Sequence, residues 1–226
     1  MWYSTGMKIT ALEQQATHPE RMNVYVDGHF LMGVSATVVL KLELAIEQEL
    51  GPEQLQELQH EEALQQAVER AYGFLSYRPR SREEVRQYLR RKQTPPDVIG
   101  PALERLDHLD LVNDRSFATF WVENREQFSP RGARALKNEL RMKGVEREVV
   151  EDIVDDEQDE ERASRAGRKK ALSLVQISTM DFLTFRTRLG SFLQRRGFGY
   201  DVATRTVRAL WQELRPDADE EDESIS

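Results

Sequence analysis

The side chains whose types and spacing suggest chemistry in this sequence are arginines and lysines set at helical intervals. Arg82, Arg86 and Arg90 recur every four residues, a spacing that places them on one helix face beside Val85 and Leu89. Arg131, Arg134, Lys137 and Arg141 repeat the arrangement further along, with Lys137 and Arg141 aligned to Arg86 and Arg90. A third set comprises Arg186, Arg188, Arg195 and Arg196, followed by Arg205 and Arg208 and preceded by Arg165, Arg168, Lys169 and Lys170. A guanidinium presents a planar fork of donors that matches phosphate or carboxylate. Such stripes suit a nucleic-acid backbone or an acidic protein groove. The competing reading is a solvated helix face balanced by local acids, such as Glu83 and Glu84 beside Arg82 and Arg86. Phe182, Phe185, Phe192 and Phe198 are interleaved with the third set. Aromatics among arginines can stack on single-stranded bases. Phe185, Leu189 and Phe192 nevertheless fall at core spacing, and Phe198 follows Gly197 as an apolar contact across a helix end would.

Signatures of catalysis are missing from the sequence. It contains no phosphate loop of the G-x-x-x-x-G-K-[ST] kind, no G-x-G-x-x-G after a strand, no G-x-S-x-G and no H-E-x-x-H. The four histidines, His18, His29, His60 and His108, form no i,i+3 or i,i+4 pair, and there is no cysteine. Thiolate ligands, thiol nucleophiles and disulfides are thereby excluded. Asp155-Asp156 lies in an acidic run, where no apolar setting raises a carboxyl pKa. The reading is a protein without catalytic residue, cofactor or metal, which acts by contact.

Charge distribution sharpens that reading. The 226 residues carry 32 Lys+Arg against 40 Asp+Glu, a net charge of −8, which by itself speaks against a phosphate partner. By segment, residues 162–215 hold twelve basic and three acidic side chains, net +9, between blocks of −6 at 116–161 and 216–226. The acidic run from Asp155 to Glu161 is either solvation or a local mask over the basic segment, and the tail at 216–226 is expected to be disordered. No apolar run approaches the ~20 residues of a membrane span. The N-terminus has no basic leader before an apolar core, and Met7 is an alternative start to Met1. A cytoplasmic monomer is the expectation.

The elements that would position these side chains can be read from the pattern. Strand periodicity is strongest at Val24-Tyr25-Val26, followed by Asp27-Gly28, a pair suited to a type I′ turn. An earlier strand around Lys8 to Gln15 would complete a three-strand antiparallel module that leans on a neighbouring helix. Ser35 is a candidate N-cap for a short helix to Leu42, and Gly51-Pro52 starts another carrying Leu55 and Leu58. From Glu61 the pattern is helical and repeats with offsets of 51 and then 53 residues. These offsets align Leu89 with Leu140 and Leu193, Val85 with Leu136 and Leu189, and Ala67 with Ala118 and Ala171. They also align Leu103 with Val154 and Val207.

Each unit reads as three helices. Ser81-Arg82-Glu83-Glu84 is a capping box, Asn113 an N-cap, and Gly144 and Gly197 are left-handed helix stops. Pro101 should kink its helix or delay its start. The expected fold is mainly α, an elongated curved array of three tandem three-helix repeats behind a small β module. The boundaries are 1–60 for the module, 61–113, 114–159 and 160–215 for the repeats, and 216–226 for the tail. Such an array suits lying along a groove or filament and offers no deep pocket.

These residues carry a resemblance. From Glu61 to Leu214 the chain resembles the RecX family of regulatory proteins, through Leu75-Ser76-Tyr77-Arg78-Pro79-Arg80-Ser81 and Leu111-Val112-Asn113-Asp114 with Ser116-Phe117-Ala118. It continues in Leu140-Arg141-Met142-Lys143-Gly144-Val145 and Phe192-Leu193-Gln194-Arg195-Arg196-Gly197-Phe198. Departures are Pro101, Gln93 where a glycine is usual, and the acidic tail. The resemblance implies a non-enzymatic modulator of RecA recombinase that binds the RecA–single-stranded DNA filament along its groove. It further implies suppressed ATP hydrolysis and strand exchange, altered filament stability and, in some members, weak direct DNA binding. The family supplies no catalytic residues, so the candidate contacts remain the basic side chains named above.

Overall fold

The computed structural model describes residues 6–215; the first five residues and the acidic tail at 216–226 lie outside the described residues. Four strands and ten helices make up the described residues: β1 (Met7–Gln14), β2 (Arg21–Val26), β3 (His29–Ser35), α1 (Ala36–Lys41), β4 (Glu49–Leu50), α2 (Pro52–Leu75), α3 (Arg82–Arg91), α4 (Pro96–His108), α5 (Asp114–Phe128), α6 (Ala133–Met142), α7 (Arg147–Ile153), α8 (Asp159–Val175), α9 (Phe182–Arg195) and α10 (Tyr200–Leu214). They group into two compact units. One joins the residues up to Arg78 with Glu84–Val112, and the other joins Pro79–Glu83 with the chain from Asn113.

The N-terminal sheet is antiparallel in the order β3-β2-β1-β4. Val26 pairs with His29 across Asp27 and Gly28, whose φ values of 49° and 80° are those of the expected turn. The sheet has four strands where the sequence pattern suggested three. β4 is two residues long and pairs with Met7 and Lys8, too short for alternation to register. Ile9, Val24, Val26, Val34, Val38 and Leu50 bury one face against Leu58 of α2, which supplies the helix the sheet needs. Ser35 caps α1 as expected, its Oγ accepting from Thr37 N at 3.2 Å. α2 runs unbroken through residues 60 and 61, so no element ends at the boundary drawn there.

Each repeat builds its own core on the aligned positions. Val85 and Leu89, Leu136 and Leu140, and Leu189 and Leu193 are fully buried, as are Ala67, Ala118 and Ala171. In each repeat the first helix packs closely on the third, an approach that small buried residues favour. The second helices end alike. Thr94 N bonds Leu89 O (3.1 Å) and Gln93 N bonds Arg90 O (3.0 Å). The same pair of bonds recurs at Val145/Leu140 with Gly144/Arg141, and at Phe198/Leu193 with Gly197/Gln194. This is a Schellman cap, whose turning residue takes a left-handed backbone. Gly144 (φ 79°) and Gly197 (φ 89°) adopt it without strain, whereas Gln93 (φ 58°) must adopt it with a side chain. Gln93→Gly should therefore raise the denaturation midpoint of the first unit, by about 0.5–1 kcal/mol once the extra unfolded-state freedom of glycine is set against the relieved strain.

α4 begins at Pro96 and contains Pro101, so the expected delay of its start does not occur. The carbonyl that loses its partner is that of Asp97, in the first turn. Phe185 and Phe198 are core residues, and Phe192 packs at the core edge, as their spacing indicated.

Candidate functional site

The structure sorts the basic side chains into two groups. Several are consumed within the fold. Lys137 reaches Glu151 (2.7 Å) and Asp156 (2.8 Å), and Arg141 reaches Glu151 (2.6 Å). The hydrogen bonds that Lys137 donates to Asp156 and then Glu151 raise its pKa, and the contacts of Glu151 with Lys137 and Arg141 hold that carboxyl below its usual range. Arg205 pairs with Glu160 (2.6 Å) and Asp201 (3.3 Å), and Arg168 is bidentate to Glu213. Arg165 lies 3.9 Å from Glu161. The acidic run between Asp155 and Glu161 thus masks part of the basic segment, because its last three residues form the first turn of α8.

Two further arginines of that segment are structural. Arg162 is 1 % exposed and bonds Glu126 (2.9 Å), the Asp155 carbonyl (2.6 Å) and Gln158 (3.3 Å). Arg196 donates to the Pro130 carbonyl (3.2 Å) and stacks on Phe192, 4.7 Å from the ring centroid. Burial, then the nearby charge of Arg131, lowers its pKa. Arg131 itself lies 3.8 Å from Glu139. Sequence spacing suggested neither role, since each depends on partners from the second repeat.

Six of the twelve cations between residues 162 and 215 project without an ion pair among the described residues: Lys169, Lys170, Arg186, Arg188, Arg195 and Arg208. Arg90 and Arg134 are likewise exposed in the earlier repeats, while Arg82 and Arg86 are half-buried at the start of α3. Arg186, Arg188 and Arg195 lie on α9, Lys169 and Lys170 line a cleft with it, and Arg208 lies on α10. On one flank, Lys169, Lys170 and Ser173 of α8 face Phe192 and Arg196 across a cleft of about 340 Å³. On another, Arg186, Gly190 and Gln194 face Tyr200, Ala203 and Thr204 of α10 across a smaller cleft of about 150 Å³. Arg188 and Arg195, seven residues apart, share an exposed face of α9. The clefts are shallow and lined by donors. They can receive phosphates or carboxylates, and the Phe192–Arg196 stack adds an aromatic surface at one edge.

The groove between second and third helices differs from repeat to repeat. In the first, Arg86, Arg90, Thr94, Pro96, Ile99 and Gly100 line a cleft of about 270 Å³. In the second, the equivalent positions hold Lys137, Arg141 and Glu151, already joined as ion pairs. Among the described residues no group of His, Asp or Glu is placed to hold a metal ion, and no helix is long and apolar enough to cross a membrane.

Comparison with known proteins agrees with this architecture segment by segment. Residues 7–51 match the model of the "Regulatory protein RecX N-terminal domain". Residues 67–106 and 113–153 match the first and second three-helix domains of RecX. The regulatory protein RecX of Bacillus subtilis (strain 168) is 30 % identical over 217 residues, spanning 96 % of this chain and 81 % of the relative. That of Listeria monocytogenes serovar 1/2a is 25 % identical over 208 residues, spanning 92 % and 77 %. A crystal structure of a regulatory protein RecX shares the fold with a TM-score of 0.72 at 23 % identity, covering 87 % of this chain and 96 % of that one. The RecX structure from Lactobacillus salivarius aligns with a TM-score of 0.58 at 26 % identity, covering 66 % and 96 %. With the β module and the first two repeats matched in order, and a relative 30 % identical along most of both chains, the chain belongs to the RecX family of regulatory proteins.

Proposed function

We propose that this protein regulates homologous recombination and DNA repair without catalysis, by binding the RecA–single-stranded DNA filament along its groove and restraining ATP hydrolysis and strand exchange. The observation that carries the reading is the cluster of Lys169, Lys170, Arg188 and Arg195, exposed around α9 on a chain whose net charge is −8. An acidic protein is repelled by bare DNA except at such a cluster, whereas a groove that mixes phosphate with protein surface accommodates both signs. Arg90, Arg134, Arg186 and Arg208 extend the candidate contact set. Lys137, Arg141 and Arg205 contribute less, because binding through them would first break ion pairs. The protein works as a cytoplasmic monomer on this reading, and its direct affinity for free DNA is weak and salt-sensitive.

The charge-reversed variant Lys169→Glu, Lys170→Glu, Arg195→Glu tests the surface. Filament co-sedimentation should show at least about a tenfold loss of affinity, and the salt dependence should flatten by roughly two to three ions. The melting temperature should stay near wild type, since the three side chains make no internal ion pair among the described residues. Undiminished filament binding would remove this face from the contact set.

A further inference from the structure

The basic end of the chain holds more cations than its own acids can pair. Residues 162–215 carry three acids, Asp181, Asp201 and Glu213, and each is committed. Asp181 accepts from Thr184 N at 2.6 Å, Asp201 lies 3.3 Å from Arg205, and Glu213 holds Arg168. The next residues on α8, Lys169 and Lys170, are exposed and make no ion pair among the described residues. They share a cleft with Phe192 and Arg196 at the end of α9. Arg215 Nη2 donates to the Val175 carbonyl at 3.3 Å and to the Ile177 carbonyl at 3.4 Å, which fixes the last described residue at the C-terminal end of α8. Lys169 and Lys170 precede Val175 by five and six residues, about 7–9 Å along the helix axis. Residues 216–226 then contain six acids and no Lys or Arg: Asp217, Asp219, Glu220, Glu221, Asp222 and Glu223. An extended chain spans about 3.3 Å per residue, so from Arg215 the first of these acids can reach about 7 Å and the last about 26 Å. Acids at the other border of the segment already act in this way, with Glu160 on Arg205 and Glu161 beside Arg165.

We infer that residues 217–223 dock on the face of α8 that carries Lys169 and Lys170, so that a polyanion must displace them to bind there. Charge complementarity and reach select this occupant: six carboxylates are tethered within span of the two cations, at the high effective concentration that a short tether gives. Each pair is exposed and individually weak, so salt or a more densely charged competitor releases the contact. Sparse polyanions are thereby turned away and dense phosphate arrays admitted. The inference rests on the proposed function only in taking the filament as the natural competitor; the docking itself stands apart from it.

The sequence has no cysteine, so Ser224→Cys gives a single site for a nitroxide label on the full ¹⁵N-labelled chain. At low salt the label should broaden the amide signals of Lys169, Lys170 and Phe192. With the six acids changed by Asp→Asn and Glu→Gln, a segment of equal length should lose most of that broadening, which separates docking from tethering alone. Lys169→Gln with Lys170→Gln should lose it too, and both side chains are exposed, so loss of fold does not confound the comparison. The neutral segment should also tighten binding of a short oligothymidylate by about tenfold, a gain that shrinks to about twofold when both lysines are glutamine. Equal broadening by the acidic and neutral segments, or an equal gain in both backgrounds, would overturn the inference. If the wild-type protein leaves RecA filaments unaffected, the proposed function fails while the label still decides the docking.

Discussion

Replacing Arg162 by methionine should lower the stability of the second unit by about 3–5 kcal/mol, a large share of the ~5–15 kcal/mol a domain possesses. The guanidinium is almost wholly buried between the end of α5, the loop before α8 and α8 itself. It neutralises Glu126 at 2.9 Å and lies 3.5 Å from Asp159, whose own Oδ1 accepts from Ala133 N at 2.8 Å and so caps α6. Methionine fills the volume and leaves two carboxylates without their cation. The signature is in the pH dependence. Burial already raises the Asp159 pKa, with the Ala133 N–H and Arg162 acting in the opposite direction. Losing Arg162 raises it further. A carboxyl with a raised folded pKa favours folding when protonated and loses that contribution as pH climbs through the folded value. The melting-temperature deficit of the variant should therefore be widest at neutral pH and narrow as acidification protonates Asp159. Adding Glu126→Gln should return part of the loss.

Gly197→Ala should cost the same unit about 2–5 kcal/mol, summing the penalty for a left-handed alanine with that of an overpacked contact. At φ 89° the backbone disfavours any side chain, and a Cβ there would overlap the Cβ of Ala135 on α6. The reverse approach is as close, since a Cβ on Gly132 would come within 2.7 Å of Phe198 N. Gly132 N also donates to Arg196 O at 3.0 Å, so backbone meets backbone between second and third repeats. Thermal unfolding should register a fall of roughly 5–20 °C. Gly190→Ala, within α9 and with nothing within 4 Å of its Cβ, should be neutral or slightly stabilising.

Much of this scaffold is legible in the sequence because it rests on local rules. The aligned leucines and alanines are buried where the 51- and 53-residue offsets put them. Asn113 caps α5 through Ser116 N at 3.0 Å, and Gly144 and Gly197 stop their helices as read. Gln93 shows that the cap is a property of the repeat and not of glycine alone. What escaped the sequence depends on partners distant in the chain. Glu62 is 2 % exposed because it accepts from Ser35 N and Arg21, 27 and 41 residues away. Arg162 is internal only because Glu126, 36 residues back, meets it, and nothing in its local spacing marks it off from the other basic residues of its segment. The net charge of +9 for residues 162–215 overstated the exposed surplus for the same reason. The acids that pair with Arg165 and Arg205 sit at 161 and 160, just before the segment begins. Six exposed cations on α8, α9 and α10 remain available, and they define a narrower candidate surface than the full stripes.

The central claim is regulation of the recombinase filament, and the most direct measurement is RecA ATP hydrolysis on preformed filaments over single-stranded DNA, with this protein added substoichiometrically. The account predicts a dose-dependent fall in the hydrolysis rate at ratios well below one protein per RecA protomer. An unchanged rate up to equimolar protein, with filament length unaltered, would contradict it.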